Sequence, residues 1–218
     1  MSSGKEIPSW AFNAVRAILE TLKAKDPHTF YHCCRVGRNA RLLGKSAGMD
    51  EYTQNILEYS GLLHDVGKVG IPDQILFKPA KLSAEEIHMM KMHPVKSLQI
   101  IKPLLDDPFF QDVAPGVELH HERLDGLGYP YGLKSKDISM EVRVITLVDA
   151  IDAMVSTRPY RKGMSMDRVL EEIKRCVGTQ FDETLVKVYI ESYQSWNQEI
   201  KNIKEGEQIA HSLLKVAS

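Results

Sequence analysis

Cysteine is scarce in this sequence: Cys33, Cys34 and Cys176 are all it has. Two of the three are adjacent, adjacent cysteines rarely bridge each other, and no CxxC pair occurs. A disulfide framework is therefore excluded, and a reducing compartment is expected. Long apolar runs are also missing. None approaches the roughly 20 residues that cross a bilayer, and the opening MSSGKEIPSW lacks an apolar signal core. The chain is read as soluble and cytoplasmic, with no membrane partner, and its abrupt start also suits an excised catalytic module. An excess of charge of either sign is absent, since the formal net charge is −1. Proteins that bind nucleic acid polymers are usually basic, so none is expected as partner. A small anionic ligand stays open, because a few local Lys and Arg residues suffice for one.

Strand patterns, internal repeats and low-complexity segments are missing too. What is there is helical periodicity nearly throughout 218 residues that are 43% hydrophobic, enough for a real core. Trp10, Ala14, Ala17, Ile18 and Leu22 recur at helical spacing. Val36, Ala40, Leu43 and Ala47 mark one face of a second helix, with Gly48 as its stop and Asp50 as cap of a third that runs to Leu63. A Gly- and Pro-punctuated loop follows. Ser83 and Glu86 form a capping-box pattern for a helix ending near His93-Pro94, and another helix is expected over roughly 95–105. Pro115-Gly116 is read as a break before His120. Residues 123–138 should form a long loop. Further helices are expected from Met140 to Val155, from Ser165 to Gly178, and from Asp182 past Tyr189. The fold class is all-α, a single domain over 1–218: an N-terminal helix (1–25), a site-bearing core (26–160) and C-terminal helices (161–218).

The chemistry-bearing residues lie at helix ends and loop junctions. His28 and His32 are four apart, so one helix face presents both imidazoles; a pair of surface histidines reads equally well. His64-Asp65 ends an apolar helix beside a glycine and can share a metal, or simply decorate a helix terminus. Lys68, three residues on, is a cation for a phosphate or a plain surface lysine. His120-His121 is more telling. Adjacent helical residues diverge by ~100°, so two neighbouring metals would take one each. The run HHERLDGLGYP then offers a loop whose glycines can approach a ligand closely. Asp149 sits in an apolar helix, where a carboxylate costs several kcal/mol unless paired or metal-bound. Asp152 lies nearly on the same face, so one can serve the site and the other the structure. Arg158 and Arg161 follow, suited to a phosphodiester. His93 precedes a proline at a helix junction and alone reads as structural. The candidate donors are imidazole and carboxylate without thiolate, which suits iron, manganese, zinc or nickel. Two or three such ions could hold a bridging hydroxide and neutralise phosphate oxygens. Cys33 and Cys34 are read as small core residues.

The strings HDVGKVGIPDQIL (from His64), HHERLDGLGYP (from His120) and DAIDAMVSTRPYR (from Asp149), with DPHTFYHCCRV (from Asp26) and KMHPVKS (from Lys91), resemble the signature of the HD-GYP family over roughly residues 8–190. That family is a branch of the HD-domain metal phosphohydrolases. The resemblance implies a helical bundle with additional C-terminal helices, holding two or three divalent transition-metal ions, iron first. It implies hydrolysis of cyclic di-GMP to pGpG or onward to GMP. Carried over by position, His32, His64, Asp65, His93, His120, His121 and Asp149 would be metal ligands, with Asp65 bridging and acting with Lys68 in catalysis. Lys68, Gly128, Tyr129, Arg158 and Arg161 would hold the substrate. A regulatory or GGDEF-type partner at the GYP loop and a homodimer through Trp10 and the first helix are further expectations.

Two departures from the family pattern stand out. His28 occupies a position where many members carry an aromatic residue and some three-metal members carry Glu, so His28 is a candidate third-metal ligand. Ser97 replaces a glycine common after HPxx, with local packing or site access expected to change. Two other functions compete with the cyclic di-GMP reading: a non-catalytic dinucleotide sensor, and a phosphodiesterase for cyclic GMP-AMP.

Overall fold

One helix has core on two sides and organises the rest. It is α2 (Pro27–Ser46), started by Asp26, whose carboxylate accepts from the backbone N–H groups of His28 and Thr29 while Pro27 fills the first turn. The computed structural model describes residues 6–156, 162–196, 210, 212 and 213. Phe30, Cys33 and Cys34 of α2 pack into one apolar cluster with α1 (Ala11–Lys25), α3 (Glu51–Leu63) and α7 (Pro108–Leu119). Val36, Ala40, Leu42 and Leu43 pack into a second, with α8 (Met140–Val155), α9 (Met166–Arg175) and α10 (Glu183–Ser192). The all-α expectation holds: among the described residues there is no strand, only the isolated bridges Asp125–Lys134 and Val177–Phe181. None of the described helices is long and apolar enough to cross a membrane.

The crossing of α2 and α3 is made by glycine. A Cβ on Gly61 would stand 2.6 Å from the Cα of Gly37, so the two backbones touch and no other residue fits. His32 lies five residues before that contact and His64 three after it, and the close crossing is what brings their rings together.

Between α3 and α7 the chain makes short elements. A 3-10 turn (Val66–Gly70) and a one-turn helix α4 (Asp73–Leu76) occupy the stretch read as loop. The capping box at Ser83 and Glu86 is present and starts α5 (Ala84–Met90). Its end is three residues earlier than expected, and α6 (His93–Ile101) begins at His93 itself. Pro94 opens this helix rather than stopping one, because in the first turn its missing N–H is not needed. Two more expectations fail. Pro115 lies inside α7, which runs unbroken to Leu119. Burial of Phe109, Phe110, Val113 and Val117 outweighs the ~3 kcal/mol that an internal proline costs, and Gly116 serves close packing against Ser60. The buried face of α1 is Ala11, Val15, Leu19 and Leu22, rotated from the face read in the sequence. Val15 and Leu19 bury more apolar area than Ala14 and Ala17 and set the orientation.

Trp10 stacks on Phe110 of the same chain, ring centroids 5.3 Å apart, yet stays 43% exposed. Helix α9 ends at Arg175, short of Gly178, and Ser165 at its start makes no side-chain cap bond. Near the C-terminus, Ala210 and Leu213 are buried in the first apolar cluster.

Candidate metal centre

Three of the clustered histidines follow helix ends, and helix ends leave carbonyls unbonded. His64 is the C-cap of α3, and its Nδ1 lies 2.7 Å from the Gly61 carbonyl oxygen. His120 is the C-cap of α7, with Nδ1 2.9 Å from the Val117 oxygen. His93 follows the end of α5, with Nδ1 2.8 Å from the Met90 oxygen. A carbonyl can only accept, so each Nδ1 carries a proton, and the tautomer that ligates a metal is the one that leaves Nε2 as the lone-pair atom. His32 is tied from behind in the same way by Asp152, whose Oδ2 is 2.7 Å from its Nδ1. Each proton that ties a ring to the fold leaves a ligand atom pointing inward.

Those inward atoms meet. His64 Nε2 is 3.3 Å from His32 Nε2, and His93 Nε2 is 3.3 Å from His120 Nε2. Asp149 Oδ1 lies 3.0 Å from His32 Nε2 and 3.7 Å from His64 Nε2. Asp65 divides itself: Oδ2 is 3.6 Å from His32 Nε2 and 3.5 Å from His64 Nε2, while Oδ1 is 3.1 Å from His93 Nε2. That Oδ1 is fully buried and makes no hydrogen bond. Nitrogen and carboxylate donors converging in a buried site suit a bound cation. Three donor groups, each within 4.8 Å, offer places for one: His32, His64 and Asp149; His64, Asp65 and His120; and His93, His120 and His121. The clustered His and Asp side chains fit divalent metal ions, borderline in softness and without thiolate.

Protonation agrees. Burial opposes charge on His32, but hydrogen bonds to Asp149 and Asp152, with Asp65 nearby, lift its pKa to about 9, so a proton on Nε2 stands where a metal would otherwise sit. Burial drives His120 well below the ordinary value, helped by His121, His64 and His93, and lowers His121 to about 3 against the pull of Asp149. Both rings are therefore neutral and free to ligate. Burial would raise Asp65, but Lys68, His64 and His93 hold it well below the usual carboxylate range. Burial is likewise overcome at Asp149 by His32 and His64.

The doubled histidine behaves differently from its sequence reading. The expected divergence does not occur: the rings of His120 and His121 are 4.2 Å apart, and both belong to one donor group. His120 is the C-cap, one past the last helical residue Leu119, so the ~100° fan of an intact helix does not carry through to His121.

Seven of the eight expected ligands thus converge, and His28 does not join them. It is exposed on the first turn of α2 and belongs to none of the three donor groups. Lys68 meets the cluster through its ammonium on Asp65 Oδ2. Asp152 holds His32 rather than joining a donor group. Arg35 grips it with two bonds, Nε to Oδ1 at 2.7 Å and Nη2 to Oδ2 at 2.8 Å, and also bonds Ser156 Oγ at 3.1 Å. Arg35 escaped sequence reading, although its position one turn after His32 matches Asp152, one turn after Asp149.

Beside the cluster lies a cleft of about 230 Å³ lined by Lys91, His121, Arg123, Gly128, Tyr129, Asp149 and Gln180, among others. Tyr129 stacks on His121 with centroids 4.7 Å apart, and Lys91 Nζ stands 5.1 Å over the Tyr129 ring. The loop is anchored by Glu122, which sequence reading passed over. Its buried carboxylate accepts from the backbone N–H groups of Tyr131, Gly132 and Leu133. Gly128 serves the loop itself: a Cβ there would meet Arg123 N at 2.5 Å and His121 O at 2.6 Å. The close approach expected toward a ligand is thus made to the chain's own backbone. Arg158 and Arg161 lie outside the described residues.

Comparison with known proteins agrees with this geometry. Residues 16–185 match the HD domain family. A cyclic di-GMP phosphodiesterase of Thermotoga maritima is 32% identical over 185 residues, covering 85% of this chain and 50% of its own length. A 3'3'-cGAMP-specific phosphodiesterase of Vibrio cholerae is 34% identical, covering 77% of this chain and 36% of its own length. The chain therefore spans about half or less of these relatives. Among solved structures, the HD domain of L. monocytogenes phosphodiesterase PgpH, in complex with cyclic-di-AMP, superposes with a TM-score of 0.61 at 18% identity, covering 86% of this chain and 98% of that one, and shares the fold. With its buried His-Asp cluster, its GYP loop and these matches, the chain belongs to the HD-domain family, in its HD-GYP branch.

Proposed function

We propose that this chain is a metal-dependent phosphodiesterase that hydrolyses cyclic di-GMP to pGpG or onward to GMP. One observation carries the reading: four imidazoles have their Nδ1 atoms tied to the fold, and their Nε2 atoms converge on two buried carboxylates. His32, His64, Asp65, His93, His120, His121 and Asp149 would hold two divalent ions, iron first, with manganese, nickel and zinc as alternatives. Asp65 would be shared, because its two oxygens face opposite donor groups. Such ions lower the pKa of water and neutralise phosphate oxygens.

The chain's own side chains do the rest. Lys68 keeps Asp65 ionised and places an ammonium at the edge of the donor set, where it can meet a non-bridging phosphate oxygen. Tyr129, held by His121 and Lys91, offers a face for a base. Gly128 gives the loop its close fold. Arg158 and Arg161 are proposed as phosphate clamps on sequence grounds. The complete donor set argues against a sensor that has lost catalysis. We further propose a cytoplasmic setting, one catalytic domain over 1–218, and a GGDEF-type or other regulatory partner at the exposed Leu127 and Tyr131. The half-exposed Trp10 is the candidate contact for a homodimer.

Hydrolysis of cyclic di-GMP by metal-loaded protein, with products identified under reducing and oxidising conditions, tests the reading; intact substrate under both would overturn it. The similarity to a cGAMP-specific enzyme favours cyclic GMP-AMP as the second substrate to try. A higher rate on it would move the specificity without moving the site.

A further inference from the structure

Ser97 is fully buried and stands in none of the three donor groups, yet it touches both ends of the turn that carries Asp65. Its hydroxyl donates to the His64 carbonyl oxygen at 2.7 Å and accepts from the Gly67 N–H at 2.8 Å. Helix α6 passes that turn at backbone contact. A Cβ on Gly67 would stand 2.1 Å from the His93 oxygen and 2.4 Å from the Ser97 nitrogen. Ser97 lies four residues after His93, so both side chains project from one face of α6, one turn apart.

We propose that Ser97 is a positioning residue that sets the distance between the two halves of the metal centre. The reasoning is geometric and rests on the metal reading above. His64 and Asp65 belong to the turn, His93 belongs to α6, and Asp65 Oδ1 faces His93 Nε2 across 3.1 Å. The Ser97 hydroxyl ties the turn to α6 through the backbone on either side of Asp65. Without it, the His64 carbonyl loses its side-chain donor and the Gly67 N–H its acceptor, in a dry interface. The turn would then relax relative to α6, and the carboxylate shared between donor groups would lose its place. Partners of this kind typically change metal affinity ~10–100-fold when removed.

The test compares Ser97→Ala and Ser97→Thr with the wild type. Manganese affinity is measured by chelator competition on metal-stripped protein, beside the thermal midpoint of the metal-free forms. The expected result is a ~10–100-fold weaker manganese affinity for Ser97→Ala, recovery in the hydroxyl-bearing Ser97→Thr, and a fall in kcat with little change in KM. Wild-type affinity in folded Ser97→Ala overturns the proposal. So does a loss of folding in both variants, since the hydroxyl would then hold the fold and not the metals. A wild type that takes up no manganese removes the metal reading itself, and this inference with it, and is recognisable because it precedes any mutation.

Discussion

The donor cluster and the cleft beside it are built on opposite terms. In the cluster, the polar atoms are buried and the rings are fixed from behind: Gly61, Met90 and Val117 carbonyls and the Asp152 carboxylate take the four Nδ1 protons. In the cleft, Arg123, Tyr129 and Gln180 are half-buried, Lys91 is exposed, and they borrow their positions from one another and from the loop. Most of the cluster is set by helix ends; the cleft is set by a loop anchored on Glu122. A centre that must hold charged ligands without water needs the first construction. A surface that distinguishes one dinucleotide from another can use the second.

Substitutions should separate the two constructions. The largest effect is expected from Asp65→Asn, which removes the shared anion facing both donor groups. Metal content by elemental analysis should collapse, and activity should fall by more than the ~100-fold upper range of losing an outer partner. Retained metal would break the claim that Asp65 joins the two halves. Next comes Asp152→Asn, which leaves every proposed ligand but loosens the grip of Arg35 on His32. A ~10–100-fold loss of metal affinity is expected, and an unchanged affinity would show that His32 needs no support. Tyr129→Ala, on the cleft side, should leave metal content alone and raise KM by about tenfold, the scale of one lost base–aromatic stack of ~1–3 kcal/mol. A loss of metal there would mean that cleft and cluster are not separable. The smallest effect belongs to His28→Ala. Exposed and outside the donor groups, it should change neither metal count nor rate more than about twofold; loss of one equivalent would restore it as a third-metal ligand.

What was legible in the sequence follows the same division. Helix periodicity and the caps at Asp50 and Ser83 marked real helix starts, and helices do begin at Met140 and just after Asp182. Resemblance and residue chemistry together named the seven residues that converge. Proline was the main source of error, because Pro94 and Pro115 read as stops while one opens a helix and the other is overridden by packing. The divergence expected of His120 and His121 failed for a related reason: it assumed a helix that ends at that point. The His28 reading rested on four-residue spacing, which places two rings on one face but says nothing about how far along the helix the site extends. The supports were hardest to see. Ser97, Arg35 and Glu122 act through contacts 30, 117 and about 10 residues away in sequence, and no local pattern announces such partners.

The central claim is that Nε2 atoms and buried carboxylates form a centre that must hold metal to work. Elemental analysis of anaerobically purified protein, before and after chelation, with hydrolysis products of cyclic di-GMP identified on the same samples, tests it most directly. About two divalent ions per chain, with activity lost on stripping and regained on reloading, is the predicted result. A chain that purifies without metal and takes none up, or that hydrolyses the substrate equally well after stripping, would contradict it.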